Sequence, residues 1–473
     1  MDMAKEMNVA APLVEKQVKK FGIMDKLGYM FGDLGNDFFF GFISSYLMVF
    51  YTDALGISAG FVGLIFVIAR VWDAFADVMV GRFVDSRPAT KNGKFKPWIL
   101  RFAPMLVIAG ALVFTKIPGM SNQFYLIYGT ATYIIWGTLY STVNIPYGSM
   151  ASVISGNSVD RASLSTFRTI GATISGVFTG ILAPMLIFVN NKVDSGRFFI
   201  VAVGFAILAM ACYVLCYKMT TERIIVKETV AGQKGDFAKT LKAVAKNRPL
   251  IANLVNSLVT IFAMIIGGTL NVYLFKDYFH SASSLSIIGF MGMLNIVLVA
   301  PFMAPLIRKF GKKEVAAAGV LVSAIIYFIL FLLPITNVYI YLGFVLIATI
   351  ASGFASFTAW AIITDTIDYH EYLTGKREDG TLYSITSFTR KIGQAVAGGA
   401  GGMALVWVGY VAGAPQQTAE VAQNIKNMAT LTPAIANLLA FLIIGFWYPL
   451  SKKKVDQLAI ELATKREEKA KAE

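Results

Sequence analysis

The chain has 473 residues, 56% of them hydrophobic and only 15% charged, with a formal net charge of +14. A water-soluble domain carries about 25% charged residues, so the composition describes a polytopic membrane protein. The surplus Lys and Arg fall in short stretches between apolar runs, which marks membrane topology and lipid contact rather than a nucleic-acid surface.

Residues 1–27 form a polar tail with no apolar stretch followed by a small-residue cleavage site, so no cleaved signal peptide is expected. A helix needs about 20 apolar residues to cross a bilayer. Twelve segments qualify, near 28–51, 58–81, 98–116, 122–150, 164–190, 197–218, 249–276, 284–306, 315–335, 337–364, 383–413 and 430–449. Lys and Arg crowd the N-terminal tail, the 81–101 and 218–248 connections, the run RKFGKK at 308–313, Lys376 and Arg377, and the tail after 450. The alternate connections hold only Lys116, Lys192, Arg197, Lys276 and Lys426. With twelve spans, every rich segment and both termini fall on one side, the cytoplasm by the positive-inside rule. The expected localisation is therefore an integral protein of a bacterial cytoplasmic membrane.

The longest internal connection, 219–248, leaves six spans on each side. The expected organisation is a tail (1–27), a six-helix bundle (28–218), a middle loop (219–248), a second bundle (249–450) and a tail (451–473). GRFVDSRPATKNGKFKPW after span two is echoed by IRKFGKKEV after span eight. Two six-helix halves around a central cavity describe the major-facilitator architecture: an all-α membrane protein.

Charges inside the spans are few and uneven. Span one carries Asp33 and Asp37. Span two, GFVGLIFVIARVWDAFADVMVG, carries Arg70, Asp73 and Asp77. Residues four apart share a helix face, so Asp73 and Asp77 point the same way. A charge at the bilayer centre costs about 2.5–3.5 kcal/mol on the mildest scale. Two acids there point to a cation or proton pathway; an Arg70–Asp73 ion pair is the structural alternative. Span four adds Tyr140, Ser141, Thr142 and Asn144, span five Arg168, and span eleven Ser387, Arg390 and Lys391 in YSITSFTRKIGQ. A cavity between the halves would have an acidic wall facing a basic one. Arg390 and Lys391 could instead snorkel to the interface.

Asp365, Asp368 and Glu371 close span ten beside Lys376 and Arg377. Asp85 and Arg87 close span two opposite Lys312 and Lys313 of the other half. These charges form either a cytoplasmic gate or a set of solvated loop charges, each pair worth ~0–1 kcal/mol. His280 and His370 are expected in or beside loops. Cys212 and Cys216 read as small packing residues. No P-loop, nucleophile elbow or metal-ligand cluster is present, so the chain is read as neither an enzyme nor an ATP-driven pump, with no cofactor.

The segments RVWDAFADVMVGRFVDS, NGKFKPW, VNIPYGSMAS, DTIDYHEYLTGKREDGTLYSITSFTRKIGQ and WYPLSKKK resemble the glycoside-pentoside-hexuronide:cation symporters, a major-facilitator branch that includes the melibiose and glucuronide carriers. The resemblance implies a cation or proton site at Asp73, Asp77 and Ser141. It implies a sugar site that includes Asp37, Tyr140, Arg168 and Lys391, and gate charges at Asp365 and Arg377. Ser387, Asn144 and Arg390 join the sugar-site candidates.

Asn144 and Gly148 stand where melibiose carriers have an Asp and a Trp, which points away from a melibiose-like site toward a glucuronide, a xyloside or another pentoside, or a β-glucoside. Ala76 replaces an oxygen-bearing Asn of sodium-using carriers. A hard cation wants several oxygens, whereas a proton needs one buried carboxyl beside a like charge. The reading therefore favours H⁺ over Na⁺ as the coupling ion, with Na⁺ at Asp73/Asp77 the remaining metal option. The expected partners are a sugar glycoside, the coupling cation and the lipid bilayer, with no nucleic acid. An uncoupled facilitator, an exporter of the same fold and a non-transporting sugar sensor are the competing functions.

Overall fold

The computed structural model describes residues 20–224 (apart from 89, 91 and 156), 246–375 and 379–472. Twelve long helices run in chain order: α1 Ile23–Val49, α2 Ala59–Asp85, α3 Lys96–Val113, α4 Asn122–Ile154, α5 Ser158–Val177, α6 Ser195–Met219, α7 Arg248–Tyr273, α8 Leu285–Phe310, α9 Lys312–Leu332, α10 Val338–Thr374, α11 Asp379–Trp407 and α12 Ala419–Leu442. A charged helix, α13 (Lys452–Ala472), follows. Four helices run on through a five-residue π turn: α1 (Phe50–Ala54), α5 (Phe178–Leu182, then Ala183–Ile187), α7 (Leu274–Tyr278) and α12 (Ile443–Trp447).

Among the described residues, nine helices are long and apolar enough to cross a membrane. The other three, α1, α4 and α11, are diluted by acids, by hydroxyls and amides, or by glycines. Several expected boundaries move: α5 begins at Ser158 rather than 164 and α12 at Ala419 rather than 430. α1 begins five residues early, because Asp25 accepts from the backbone N–H of Gly22 at 3.2 Å and closes the first turn. α10 runs ten residues past its apolar stretch, so DTIDYHEYLT is helix rather than loop. His370, expected in or beside a loop, is fully buried in that extension, while His280 does sit in a connection at φ 50°.

The helices pack as two groups of six. In the first, α1 lies on α5 and α6, α3 on α4 and α6, and α2 on α4; in the second, α7 lies on α11 and α12, α9 on α10 and α12, and α8 on α10. Phe42, Phe50, Phe114 and Phe198 fill the first group, with Phe42 and Phe114 ring centres 4.4 Å apart. Lipid tails are as apolar as these rings, so the close fit and its dispersion contacts, rather than exclusion from water, hold such helices together. Outward-facing Ile127, Ile207 and Phe446, each at least 66% exposed, form a lipid-compatible surface.

The two groups meet along α2–α11, α5–α8 and α1–α7. Glycines permit that approach: a Cβ on Gly63 of α2 would lie 2.9 Å from the Gly399 carbonyl oxygen, and one on Gly289 of α8 would lie 2.4 Å from that of Gly180. At the end that carries both termini, Glu222 accepts three backbone N–H groups, from Lys94, Phe95 and Lys96, at 2.6–2.9 Å. This carboxylate satisfies the orphan donors and the positive dipole end of α3. Gly93, at φ 112°, has no room for a side chain beside it, and Pro97 starts the helix. NGKFKPW is thus a helix-start clamp. At the opposite end, α5 and α6 are joined by a two-strand hairpin, β1 (Phe188–Val189) and β2 (Lys192–Val193), whose turn residues Asn190 and Asn191 take positive φ.

Candidate functional site

Asp33 on α1, Asn144 on α4 and Arg168 on α5 each lie about ten residues from the terminus-bearing end of their helix. At 1.5 Å per residue that is roughly 15 Å, half the thickness of a bilayer core. They meet there. Arg168 Nε donates to Asp33 Oδ1 at 2.8 Å, and its guanidinium lies 5.6 Å from the Tyr147 ring centre. Tyr147 is itself fixed, stacked on Tyr29 at 4.6 Å and donating to the Tyr29 carbonyl at 2.8 Å. The Asp33 side chain is 4% exposed and that of Arg168 is 47% exposed, so the pair holds the guanidinium by one edge and turns the other toward water.

Beside it, Asn36 donates to Asn144 Oδ1 at 3.3 Å and accepts from the Tyr213 hydroxyl at 2.8 Å. Asp37, one residue on, is partly exposed and makes no hydrogen bond or ion pair with the described residues. Among the described residues it is a carboxylate with no protein donor.

The span-two acids face α4. Ser141 donates to Asp77 Oδ1 at 2.6 Å. Asp73 occupies the notch at Gly137, where a Cβ would come within 2.5 Å of its Oδ1. Arg70 Nη1 is 3.5 Å from Asp73 Oδ2, so the local ion pair does form, at a length beyond a hydrogen bond. Arg70 also lies 5.8 Å from the Phe40 ring centre. Phe40 stacks on Tyr140, and Tyr140 on Trp136, at 5.6 and 5.3 Å. Carboxylates, a hydroxyl and a row of aromatic faces therefore share one surface.

The far side is placed by backbone register. α2 and α11 touch where Gly63 meets Gly402 and Val67 meets Gly399. From there both helices run toward the terminus-bearing end, bringing Asp73 and Asp77 on one, and Ser387, Arg390 and Lys391 on the other, to a similar depth of roughly 10–18 Å. Arg390 is partly buried; the side chains of Ser387 and Lys391 lie outside the described residues.

Of the expected gate charges, Asp365 has a partner that the sequence reading did not assign to it. Asp365 accepts from Lys312 at 2.6 Å, and Lys313 donates to the Tyr448 carbonyl at 2.7 Å, all within the second six-helix group. Lys312 and Lys313 thus each bond within their own half. Continuing α10 as helix sets Asp365 against the start of α9, which explains the pairing. Arg377 lies outside the described residues.

Sequence reasoning left Asp33, Asn36, Gly137, Tyr147 and Tyr213 without a role. Asp33 carried a signal, since it precedes Asp37 by one helical turn. Nothing in the sequence paired it with Arg168.

Comparison with known proteins identifies the family. Residues 28–452 match the family described as MFS/sugar transport protein. The chain is 35% identical to an uncharacterized symporter of Bacillus subtilis over 94% of its own length and 96% of the relative's. It is 32% identical to the glucuronide carrier protein homolog of Escherichia coli, over 93% and 95%. It is 30% identical to the isoprimeverose transporter of Lactiplantibacillus pentosus, over 94% and 91%. A solved D-xylose-proton symporter shares the fold, with a TM-score of 0.62 at 14% identity over 90% of this chain and 98% of that one.

Proposed function

Because the chain belongs to the family of MFS sugar transport proteins, we propose that it imports a sugar glycoside in symport with a cation, by alternating access. The observation that carries this is the surface shared by α1, α2, α4 and α5, where Asp73, Asp77 and Ser141 adjoin Asp37, Tyr140 and Arg168. Asp73 and Asp77 take the coupling ion. A proton suits them better than Na⁺, because Ala76 adds no oxygen and two carboxylates with one hydroxyl are a thin shell for a hard cation. Neutralising one acid lowers the cost of two like charges on one face and admits the sugar. Closure and opening of the other end then release both.

Asp37 accepts sugar hydroxyls, and the terminal nitrogens of Arg168 reach a carboxylate bidentately. Asn144 in place of an acid removes a repulsion, and a relative is named a glucuronide carrier protein homolog. A β-glucuronide therefore leads the candidates, with xylosides and other pentosides, in keeping with the isoprimeverose transporter, and β-glucosides behind it. On the family resemblance, Ser387, Arg390 and Lys391 are assigned to the sugar site and Asp365 and Arg377 to a cytoplasmic gate. Clustered Lys and Arg set both termini in the cytoplasm. A relative named a putative 2,3-dihydroxypropane-1-sulfonate exporter, 28% identical, makes export the second reading.

The test is uptake into proteoliposomes of melibiose, a β-glucuronide, a xyloside and a β-glucoside under imposed H⁺ or Na⁺ gradients. Accumulation of one glycoside driven by either gradient is expected. Gradient-independent equilibration of all four would reject coupling.

A further inference from the structure

A groove of about 490 Å³ lies in the second six-helix group, away from the surface described above. It runs between α8 and α9 with α10 as its floor, and Leu306, Phe310, Val315, Val322, Ile350 and Phe354 line it. Its origin is local. α9 lies so close along α10 that a Cβ on Gly319 would come 2.3 Å from the Ala351 carbonyl oxygen. α8, with Pro301 and Pro305 in its interior, packs on α10 and barely touches α9. Ala318 and Gly319, the small residues of α9 that face the gap, leave it unfilled. α9 packs against helices of its own group, and Phe310, Val322 and Ile347 along the groove are 50%, 45% and 55% exposed. The groove therefore opens outward, to the hydrocarbon of the bilayer.

Its depth matches one leaflet. From Glu314, in the first turn of α9, to Val322 the lining runs roughly 12 Å at 1.5 Å per residue. Half of a hydrocarbon core is about 15 Å.

Its mouth, at the terminus-bearing end, is basic. Lys452 Nζ donates to the carbonyls of Arg308 and Lys309, which draws the first turn of α13 to the end of α8. Arg308, Lys309, Lys453 and Lys454 are gathered there, all exposed and without an ion-pair partner among the described residues. The acid in the lining, Glu314, is turned aside: Oε1 faces the Lys452 N–H at 3.5 Å and Oε2 lies against Gly311. The cations outnumber Glu314 and Asp456, so the mouth stays positive.

An apolar slot one leaflet deep beneath a basic rim is complementary to a lipid with hydrocarbon below and a negative phosphate above. A zwitterionic head brings its own cation to the same rim and is drawn there less.

We infer that the groove between α8 and α9 holds an acyl chain of an anionic phospholipid, whose phosphate rests on the cations at the end of α8 and the start of α13. On the orientation proposed above, it is a lipid of the cytoplasmic leaflet. The site is independent of the glycoside carried and of the coupling ion.

In the experiment, the full chain in detergent is stripped of lipid and titrated with phosphatidylglycerol or with phosphatidylcholine of the same chains. Bound lipid is counted by native mass spectrometry, which needs no transported sugar. One molecule of phosphatidylglycerol should be held at least about tenfold more tightly than phosphatidylcholine, since each basic residue near an anionic head contributes roughly fivefold. Lys453→Gln with Lys454→Gln should weaken phosphatidylglycerol at least about tenfold and phosphatidylcholine little. Ala318→Phe fills the groove from an exposed position and should abolish tight retention of both lipids. Val322→Trp blocks it from the exposed side and serves the same purpose if the first variant does not fold. Equal affinity of the parent chain for the two lipids overturns the inference, as does undiminished retention in the folded groove variants.

Discussion

Arg168 with Asp33 and Lys276 with Asp53 are both cation–carboxylate pairs that tie together distant helices, yet their surroundings differ. The first joins helices of one six-helix group and leaves its cation 47% exposed beside a shielded acid. The second crosses between groups and leaves both partners about 10% exposed. An exposed guanidinium fixed by a buried carboxylate has terminal donors to offer a ligand. A fully enclosed pair has none left, and acts only on the arrangement of the chain. Location relative to water, more than charge itself, separates a group that binds from a group that fastens.

The largest expected effect lies on the binding side. Asp77→Asn or Asp73→Asn should abolish accumulation against a gradient while downhill flux persists, measured in proteoliposomes with and without an imposed ion gradient. Full accumulation by the double variant would remove these acids from coupling.

Arg168→Lys should follow. Lysine cannot reproduce a planar, two-pronged contact, so the KM for an anionic glycoside should rise about 10–100-fold, which corresponds to roughly 1.4–2.8 kcal/mol. A neutral glycoside should be affected much less, and equal losses for both would make Arg168 structural like Lys276. Asp33→Asn should give a similar but weaker KM effect, since it loosens the guanidinium without removing it.

At the terminus-bearing end, Glu222→Ala strips three N–H groups of α3 of their acceptor. It should cost about 1–3 kcal/mol, read as a lowered melting temperature in detergent with the KM unchanged. Ser141→Ala is expected to be smallest, a change of a few-fold in the apparent affinity for the coupling ion, because Asp77 loses one hydrogen bond of about 1 kcal/mol.

The fold was legible because a bilayer allows few solutions: apolar length and the Lys/Arg bias together imply twelve crossings. Helix ends were less so. α10 outruns its apolar stretch, because water beyond the bilayer accepts helix as readily as loop, and hydropathy does not register the difference. Within the site, Asp73, Asp77 and Ser141 were readable as expensive or polar residues on predicted faces. Asp33–Arg168 was not, since its partners are 135 positions apart and only packing of α1 on α5 unites them. The cluster of Asp53, Lys276 and Tyr410 escaped for another reason. Its members stand at helix ends, where a charge or hydroxyl is ordinary, and only their enclosure makes them unusual.

Asp33 also bears on how the protein is made. It enters the membrane with the first helix, carrying a cost of about 2.5–3.5 kcal/mol, and the guanidinium that offsets it is synthesised 135 residues later. At 5–20 residues per second that interval is roughly 7–27 s. For that time the nascent first helix carries the acid with no partner from α5. Pairing with Arg168 offsets that cost only once α5 packs on α1.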